Sequence, residues 1–222
     1  MYKRQDLEHG LLRTDLPSGF PRIASVGGAY ENKTDPILRF NYPAGWTAAD
    51  VEKPGSIGGA VLTRNDGKAI WKLESVVLQR PGGLAIRELR DQQVLDLLRF
   101  LGLQSDLMQP VCEIESSYTV LPITLGIVQS YSRILFRNQG VLGFVGVSAL
   151  NSGTGGVAGQ YKTRFKVAAG PAAEFDQLIE NTFLAVDFQM LFVDPATPAD
   201  SDRDGTPDVE DDDPRDPRVT RK

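Results

Sequence analysis

Near the end of the chain, the twelve residues from Asp200 to Asp211 carry oxygen-bearing side chains at the spacing of a calcium loop. Ca²⁺ prefers about six to eight oxygen ligands, and a twelve-residue loop supplies them from positions 1, 3, 5, 7, 9 and 12, with glycine at position 6 for the sharp turn. Gly205 occupies the sixth position. The sequence therefore predicts a Ca²⁺ site in this stretch. Its predicted ligands are the side chains of Asp200, Asp202 and Asp204, the backbone carbonyl of Thr206, and the side chains of Asp208 and Asp211.

The same stretch, Asp-x-Asp-x-Asp-Gly-Thr-Pro-Asp-x-x-Asp, resembles the thrombospondin type 3 repeat, a calcium-binding repeat of many secreted and outer-membrane bacterial proteins. Pro207, at the eighth position, fits that repeat better than an EF-hand. The resemblance implies a Ca²⁺ that stiffens an extended spacer. Because extracellular modules bind Ca²⁺ with dissociation constants on the order of 10⁻⁴ to 10⁻³ M, it also implies a calcium-rich environment outside the cytosol. The alternative is a solvated acidic linker that binds no metal.

The charge of the chain is unevenly placed. Residues 194–222 hold ten acidic and five basic side chains, which accounts for the whole net charge of -5 and leaves 19 of each sign in the rest of the chain. A neutral body with an acidic tail argues against a nucleic acid partner, because binding to phosphates requires a basic face. No apolar run reaches about 18 residues, so we expect no transmembrane segment. The expected partners are calcium and a protein at the cell surface or in the periplasm.

We expect four parts along the chain. Residues 1–5 resemble the translated end of a sequencing adapter, so we expect authentic sequence to begin near Asp6 and a signal peptide to be missing upstream. Residues 6–35 are rich in Gly, Pro, Asp and Asn without a clear period, which predicts an irregular leader. Residues 36–193 predict a folded domain. Beyond it large apolar side chains nearly vanish, which marks residues 194–222 as the acidic calcium-binding tail.

The hydrophobic pattern of residues 36–193 predicts an α+β fold. Asp66-Gly67 and Asn138-Gln-Gly140 lie between apolar runs and predict hairpin turns. Residues 161–167 alternate apolar with charged side chains, as a half-exposed strand does. Because hairpins dominate, we expect a largely antiparallel sheet of about seven strands with two main helices packed on it, followed by an irregular calcium-loop tail. The expected strands lie near residues 37–42, 60–64, 69–78, 111–120, 126–136, 141–150 and 161–167, and the expected helices near 84–103 and 171–183.

The segment Phe40-Asn-Tyr42-Pro43-Ala-Gly-Trp46 ends a strand at an aromatic-Pro-aromatic corner. A helix, a set of antiparallel strands and a closing helix around Phe175 to Phe183 are expected to follow it. This order resembles the Mog1/PsbP-like fold over roughly residues 37–188. The resemblance implies a non-enzymatic binding or assembly module, and it carries over no site residues.

Few residues of the chain suit catalysis. The only histidine, His9, lies in the expected leader, and the only cysteine, Cys112, has no histidine near it in sequence and is expected to be a buried thiol. A zinc site would need clustered histidines and cysteines. Carboxylates remain as candidates for acid–base chemistry, although their spacing suits the solvent faces of a helix and a strand. These carboxylates are Asp91, Glu113 and Glu115.

The sequence favours a non-enzymatic, extracytoplasmic binding or assembly protein of a bacterium, either secreted, periplasmic or on the outer surface, with a calcium-stabilised acidic spacer. The first alternative is a carboxylate-based hydrolase with its site in the cleft of the sandwich, which needs two carboxylates about 5–10 Å apart. The second alternative is a cytosolic trafficking or regulatory factor of the Mog1 type, in which the tail binds no calcium. Apart from Ca²⁺, no cofactor is expected.

Overall fold

A computed structural model of the chain describes residues 23, 25–34, 38–51, 55–80, 83–119, 128–151 and 159–192. The expected adapter end, most of the expected leader and the acidic tail therefore lie outside the described residues. Among these residues no helix is long and apolar enough to cross a membrane.

Seven strands form one antiparallel sheet in the order β3-β4-β5-β9-β8-β7-β6, and two more form a separate antiparallel ribbon. The predicted α+β fold with its largely antiparallel sheet and two main helices is confirmed. The strands are β1 Val26–Glu31, β2 Arg39–Pro43, β3 Trp46–Asp50, β4 Ser56–Arg64, β5 Ile70–Gln79, β6 Gln109–Thr119, β7 Val128–Asn138, β8 Val141–Asn151 and β9 Gln160–Pro171. The helices are α1 Ile86–Phe100, α2 Phe175–Leu178 and α3 Leu184–Phe192, with a π-helical turn, Ile179–Phe183, between the last two.

The second main helix is longer than the sequence predicted. It comprises α2, the π-helical turn and α3, and we call residues 175–192 the C-terminal helix. The sequence predicted this helix only as far as residue 183. A π-helical turn holds one residue more than the α-helical turn it replaces, and such turns are frequent at functional sites.

The seven strands of the sheet are not the seven that the pattern predicted. The strand predicted at 37–42 is β2, which pairs with β1 in the ribbon instead of joining the sheet. The sheet still has seven strands because β3 joins it at one edge. This strand begins at Trp46, the residue that the sequence analysis assigned to the corner. β1 lies inside the stretch expected to be an irregular leader. Both missed strands carry little hydrophobic signal: in β1 only Tyr30 is buried, and β3 presents small alanines after its tryptophan.

Both predicted hairpin turns are confirmed. β4 and β5 are joined through Asp66 and Gly67, and the Asp66 carboxylate accepts a hydrogen bond of 2.9 Å from the Lys68 backbone N–H. β7 and β8 are joined through Gln139 and Gly140, which both have positive φ values of 45° and 82°. Two successive residues with positive φ match the right-handed twist of the flanking strands, as a type I′ turn does.

The helices cover opposite faces of the sheet. On one face α1 packs its apolar stripe, which includes Val94, Leu97 and Leu98, against buried side chains of the central strands. On the other face the C-terminal helix and the ribbon pack against a second cluster around Trp71. In that cluster the ring of Phe183 stands edge-on to Trp46, with centroids 6.2 Å apart. The result is an α+β sandwich with a core on each side of the sheet.

Polar contacts fasten the ribbon to both neighbours. The Tyr30 hydroxyl donates a hydrogen bond of 2.6 Å to the Asp50 carboxylate on β3, and the buried Asn32 amide donates one of 2.9 Å to the carbonyl of Gly59 on β4. On the other side the Gln189 side chain accepts from the backbone N–H of Asn41 at 2.7 Å and donates to the carbonyl of the same residue at 3.2 Å. The C-terminal helix is thereby fixed to both the ribbon and the sheet.

Candidate functional site

A row of cations lies along β9 on the sheet face that carries the C-terminal helix. Successive side chains of a strand point to opposite faces, so Lys162, Arg164 and Lys166 share a face with Ala168 and Gly170. Ala168 is buried in the cluster beneath the helix, which identifies that face. Lys166 is partly buried, whereas Lys162 and Arg164 are exposed. The charged side of the predicted half-exposed strand is thus covered by the helix only at one end.

Lys166 forms an ion pair with Asp187 of α3, and its Nζ donates a hydrogen bond to Asp187 Oδ2. The second carboxylate oxygen accepts from Trp71 Nε1 on β5 at 3.3 Å. Asp187 is only 8% exposed, and this burial raises the pKa of its carboxyl group above the ordinary value. The charge and hydrogen bond of Lys166, the Trp71 hydrogen bond and the charge of Arg164 oppose that rise in pKa. These contacts join α3 to two adjacent central strands.

The positive charge continues from β9 onto β7. The Arg133 guanidinium lies 4.6 Å from the centroid of the Tyr131 ring in a cation–π contact. Between the two strands, β8 presents Ser148 opposite Arg164 and Gly146 opposite Arg133. We call the four cations Lys162, Arg164, Lys166 and Arg133 the basic face.

Asp187 is the carboxylate that contacts a cation of this face. No acidic side chain occurs at the neighbouring described positions of β5, β7 and β8 that point to the same side. The residues at those positions are Ser75, Val77, Gln129, Tyr131, Gly146, Ser148 and Leu150. The two exposed cations, Lys162 and Arg164, therefore have no acidic neighbour at these strand positions, and such a surface is suited to binding a carboxylate-rich or otherwise anionic group.

The predicted calcium ligands lie outside the described residues, so the Ca²⁺ site stays a prediction. Within the described part of the chain, no three His, Cys, Asp or Glu side chains are grouped so that they could hold a metal ion. The predicted ligands that lie outside the described residues are Asp200, Asp202, Asp204, Thr206, Asp208 and Asp211.

The structure brings together two of the three carboxylates considered for acid–base chemistry. Arg90, buried on α1 and 3% exposed, contacts Asp91 at 2.6 Å and Glu113 of β6 at 2.9 Å. The guanidinium group thus binds both carboxylates and ties α1 to the edge strand. Glu115 is exposed on β6, and Cys112 on the same strand is partly buried against the core.

Sequence reasoning missed two buried carboxylates, Glu74 and Asp187. Glu74 on β5 lies 2.6 Å from the Lys72 ammonium group, and Asp187 is paired with Lys166. Asp187 is the one acid in the mostly apolar run Leu184–Phe192, whereas Glu74 has Lys72 two positions before it on the same strand. A charge in a mostly apolar run indicates a buried ion pair, and for Glu74 the run also contains the partner, but for Asp187 it does not.

Comparison with known proteins finds no protein-family model and no curated protein that matches this chain. The resemblances of the tail and of the body therefore remain predictions.

Proposed function

We propose that this chain is a non-enzymatic binding or assembly module whose acidic C-terminal segment binds Ca²⁺ in an extracytoplasmic compartment of a bacterium. The observation that carries the proposal is the spacing of the acidic residues from Asp200 to Asp211 around Gly205. Acidic linkers in general do not need alternating Asp residues followed by Gly at the sixth position, whereas a loop that wraps a hard cation does.

The fold supports this proposal by providing an anchor for the segment. The C-terminal helix ends at Phe192, and only residues 193–199 separate it from the first predicted ligand. The helix is held to the sheet by the Asp187 ion pair and to the ribbon by Gln189. An ion that stiffens the segment would therefore stiffen it relative to a packed domain, as a calcium-stabilised spacer requires.

The ion pairs of the body also support a binding role over a hydrolytic one. Glu74, Glu113 and Asp187 each contact a Lys or Arg side chain that belongs to the fold itself. These contacts account for the three carboxylates as structural groups that join strands and helices. The resemblance of the body to the Mog1/PsbP-like fold points to the same class of non-enzymatic module.

Calorimetric titration of the full 222-residue chain with Ca²⁺ tests the proposal. We expect saturable binding with a dissociation constant on the order of 10⁻⁴ to 10⁻³ M. The double variant Asp202→Asn and Asp204→Asn should abolish it, because it removes two ligands from the centre of the loop.

The matched control is Asp194→Asn with Asp216→Asn, which changes the charge of the tail equally but leaves the predicted ligands intact. It should bind Ca²⁺ nearly as well as the unchanged chain. If both double variants weaken Ca²⁺ binding equally, the segment is a diffuse acidic linker without a defined site. Absence of binding in the unchanged chain would favour a cytosolic factor, for which so weak a site has no use.

A further inference from the structure

We infer that the basic face is a docking surface for the acidic segment of this same chain, residues 200–213, and that Ca²⁺ releases the segment from it. The inference rests on the proposed function, because it assigns the calcium ligands a second partner. Three observations carry it: the direction in which the C-terminal helix runs, the short distance along the chain from its end to the acidic segment, and the opposite charges of the two surfaces.

The C-terminal helix runs antiparallel to β9, towards the exposed cations. Its Leu178 side chain packs directly over Gly170, and its Asp187 contacts Lys166, four residues earlier on the strand. Nine helical residues rise about 13 Å, which is also the length of about four strand residues. The helix therefore runs alongside β9 over this distance. The five further residues to Phe192 advance about 7 Å, or about two strand residues, which brings the end of the helix to the level of Arg164.

The acidic segment begins within reach of the basic face. Residues 193–199 form a connection of seven residues, which spans at most about 25 Å when extended. Lys162 lies two residues beyond Arg164 on β9, about 7 Å further along the face. Packed layers stand about 10 Å apart, so the gap from the end of the helix to Lys162 is about 12 Å, and the extended connection is about twice as long. The first aspartates need no rearrangement of the described fold to reach Lys162 and Arg164.

The charges of the segment and of the face are complementary. Residues 200–213 contain eight acidic and one basic side chain, whereas the body of the chain as a whole is neutral. The exposed cations Lys162 and Arg164 are extended on one side by Arg133, and Arg164 is close enough to affect the pKa of the buried Asp187. Ion pairs at an exposed surface are individually weak. A tethered segment offsets this weakness, because a short linker gives an effective concentration of about a millimolar.

Calcium competes with the basic face for the same carboxylates. A bound Ca²⁺ neutralises two negative charges and wraps the Asp side chains around itself, so the attraction to Lys162 and Arg164 falls. Linkage requires the effect to be reciprocal: a face that holds the calcium-free segment must weaken the affinity of the segment for Ca²⁺. In the calcium-free state the segment covers the basic face, and in the calcium-bound state the face is open to another anionic partner.

Zero-length carbodiimide cross-linking of the full chain, read by mass spectrometry, tests the docking directly. The reagent joins a lysine amine to a carboxylate only where the two are in contact. At low ionic strength and in dilute protein, we expect Lys162 to be linked within one chain to a carboxylate of residues 200–213. Excess Ca²⁺ should remove the link, and Mg²⁺ at the same ionic strength should not, because Mg²⁺ dehydrates reluctantly and demands a tighter geometry.

Charge reversal tests the competition. The variant Lys162→Glu with Arg164→Glu should bind Ca²⁺ about fivefold or more tightly than the unchanged chain in calorimetry, because its face no longer holds the segment. The matched control, Arg87→Glu with Arg99→Glu, changes the net charge equally on exposed positions of α1, on the other side of the sheet. It should leave the calcium affinity unchanged within about twofold, which is the scale of a diffuse charge effect at moderate salt.

Three outcomes would overturn the inference. The first is the absence of any link from Lys162 to the segment. The second is links only between separate chains, which would make a second copy the occupant. The third is equal calcium affinity in the Lys162→Glu, Arg164→Glu variant and its control. Failure of the proposed function can be distinguished from these three outcomes. If no variant binds Ca²⁺ but Lys162 is still linked within one chain, the calcium function and the competition are wrong and the docking surface is supported.

Discussion

The ion pair between Lys166 and Asp187 places charges beneath the C-terminal helix, on one of the two packed faces of the sheet. Its carboxylate also accepts from Trp71 Nε1, so three elements meet at one buried group. Burying two charges costs more free energy than a single surface pair returns, and the arrangement is stable only while both partners are present. Its effect on stability is therefore asymmetric: loss of one partner is costly, whereas loss of both charges is tolerated.

Replacement of Lys166 by Met should lower the free energy of unfolding by about 3–5 kcal/mol near neutral pH, because it leaves a buried carboxylate without its cation. Adding Asp187→Asn should recover most of that loss, since the amide keeps an acceptor for Trp71 and carries no charge. Urea unfolding of the three chains measures both effects. Lys162→Met, on the same strand but exposed, is the control and should change stability by less than about 0.5 kcal/mol. A double variant as unstable as Lys166→Met alone would contradict the role of the pair.

The pH dependence of stability should carry the signature of Asp187. Because burial raises the pKa of this carboxyl group in the folded chain, its contribution to stability is complete below the unfolded pKa of about 3.9 and is lost as the pH rises through the folded pKa. The free energy of unfolding of the unchanged chain, relative to Asp187→Asn, should therefore fall as the pH rises from about 4 through the folded pKa, by about 1.4 kcal/mol for each unit by which the pKa is raised.

Urea unfolding at several pH values across that range measures this difference. Asp96→Asn removes an exposed carboxylate from α1 and serves as the control, with a difference from the unchanged chain that should stay nearly constant. A difference for Asp187→Asn that stays flat, or that grows with pH, would show that the pair with Lys166 outweighs the burial of the carboxyl group.

Among the secondary-structure elements, the two hairpins are determined by local sequence. Asp66-Gly67 and the Gln139-Gly140 pair determine their turns within a few residues, and the sequence predicted both correctly. The apolar stripe of α1 likewise needs no information from elsewhere in the chain. β1 and β3 are different, because each is a strand through pairing with a distant partner and carries too few large apolar residues to be recognised alone.

The pairing of β7 with β8 depends on a glycine that leaves room for an aromatic ring. Gly143 lies directly opposite Phe136, which is fully buried under α1. A Cβ atom at position 143 would stand 2.8 Å from Phe136 Cε1 and 2.9 Å from Cε2, closer than carbon atoms pack. The ring fills the space that an ordinary side chain would occupy on the neighbouring strand.

Gly143→Ala should consequently destabilise the fold by about 1–3 kcal/mol, the range of an overpacked core. Phe136→Leu should cost less free energy in the Gly143→Ala background than in the unchanged chain, because the smaller side chain relieves the collision. Thermal unfolding of the four chains in a double-mutant cycle measures the coupling. Strictly additive costs would mean that the ring and the glycine do not share this space.

For the whole molecule, the sequence predicted a sheet with two helices packed on it, but not that they cover opposite faces or which charges they bring together. The alternation of residues 161–167 indicated a half-exposed strand, and β9 has that pattern. Sequence alone did not show that the C-terminal helix covers Lys166 and leaves Lys162 and Arg164 exposed, because that depends on how the helix is placed on the sheet. Nor did it show that Asp187 meets Lys166, since the two are 21 residues apart and lie on different elements.

The predicted calcium ligands begin eight residues after Phe192, the end of the C-terminal helix, and this helix runs towards the basic face. A Ca²⁺ site alone would make the segment a passive spacer. A cationic surface next to its attachment point would make the same segment a cover that responds to calcium. The charge reversal of Lys162 and Arg164 separates these two roles, because it leaves the calcium ligands intact and removes only the docking surface.

A Ca²⁺ titration of the full chain, followed by backbone amide NMR, shows whether Asp200 to Asp211 form one calcium loop. We expect the amide resonances of residues 200–211, including Gly205, to shift along one saturating curve with a dissociation constant on the order of 10⁻⁴ to 10⁻³ M, while those of α1 stay in place. Small shifts spread over all acidic positions and rising without saturation would contradict a defined site. That result would leave the segment as a solvated acidic linker.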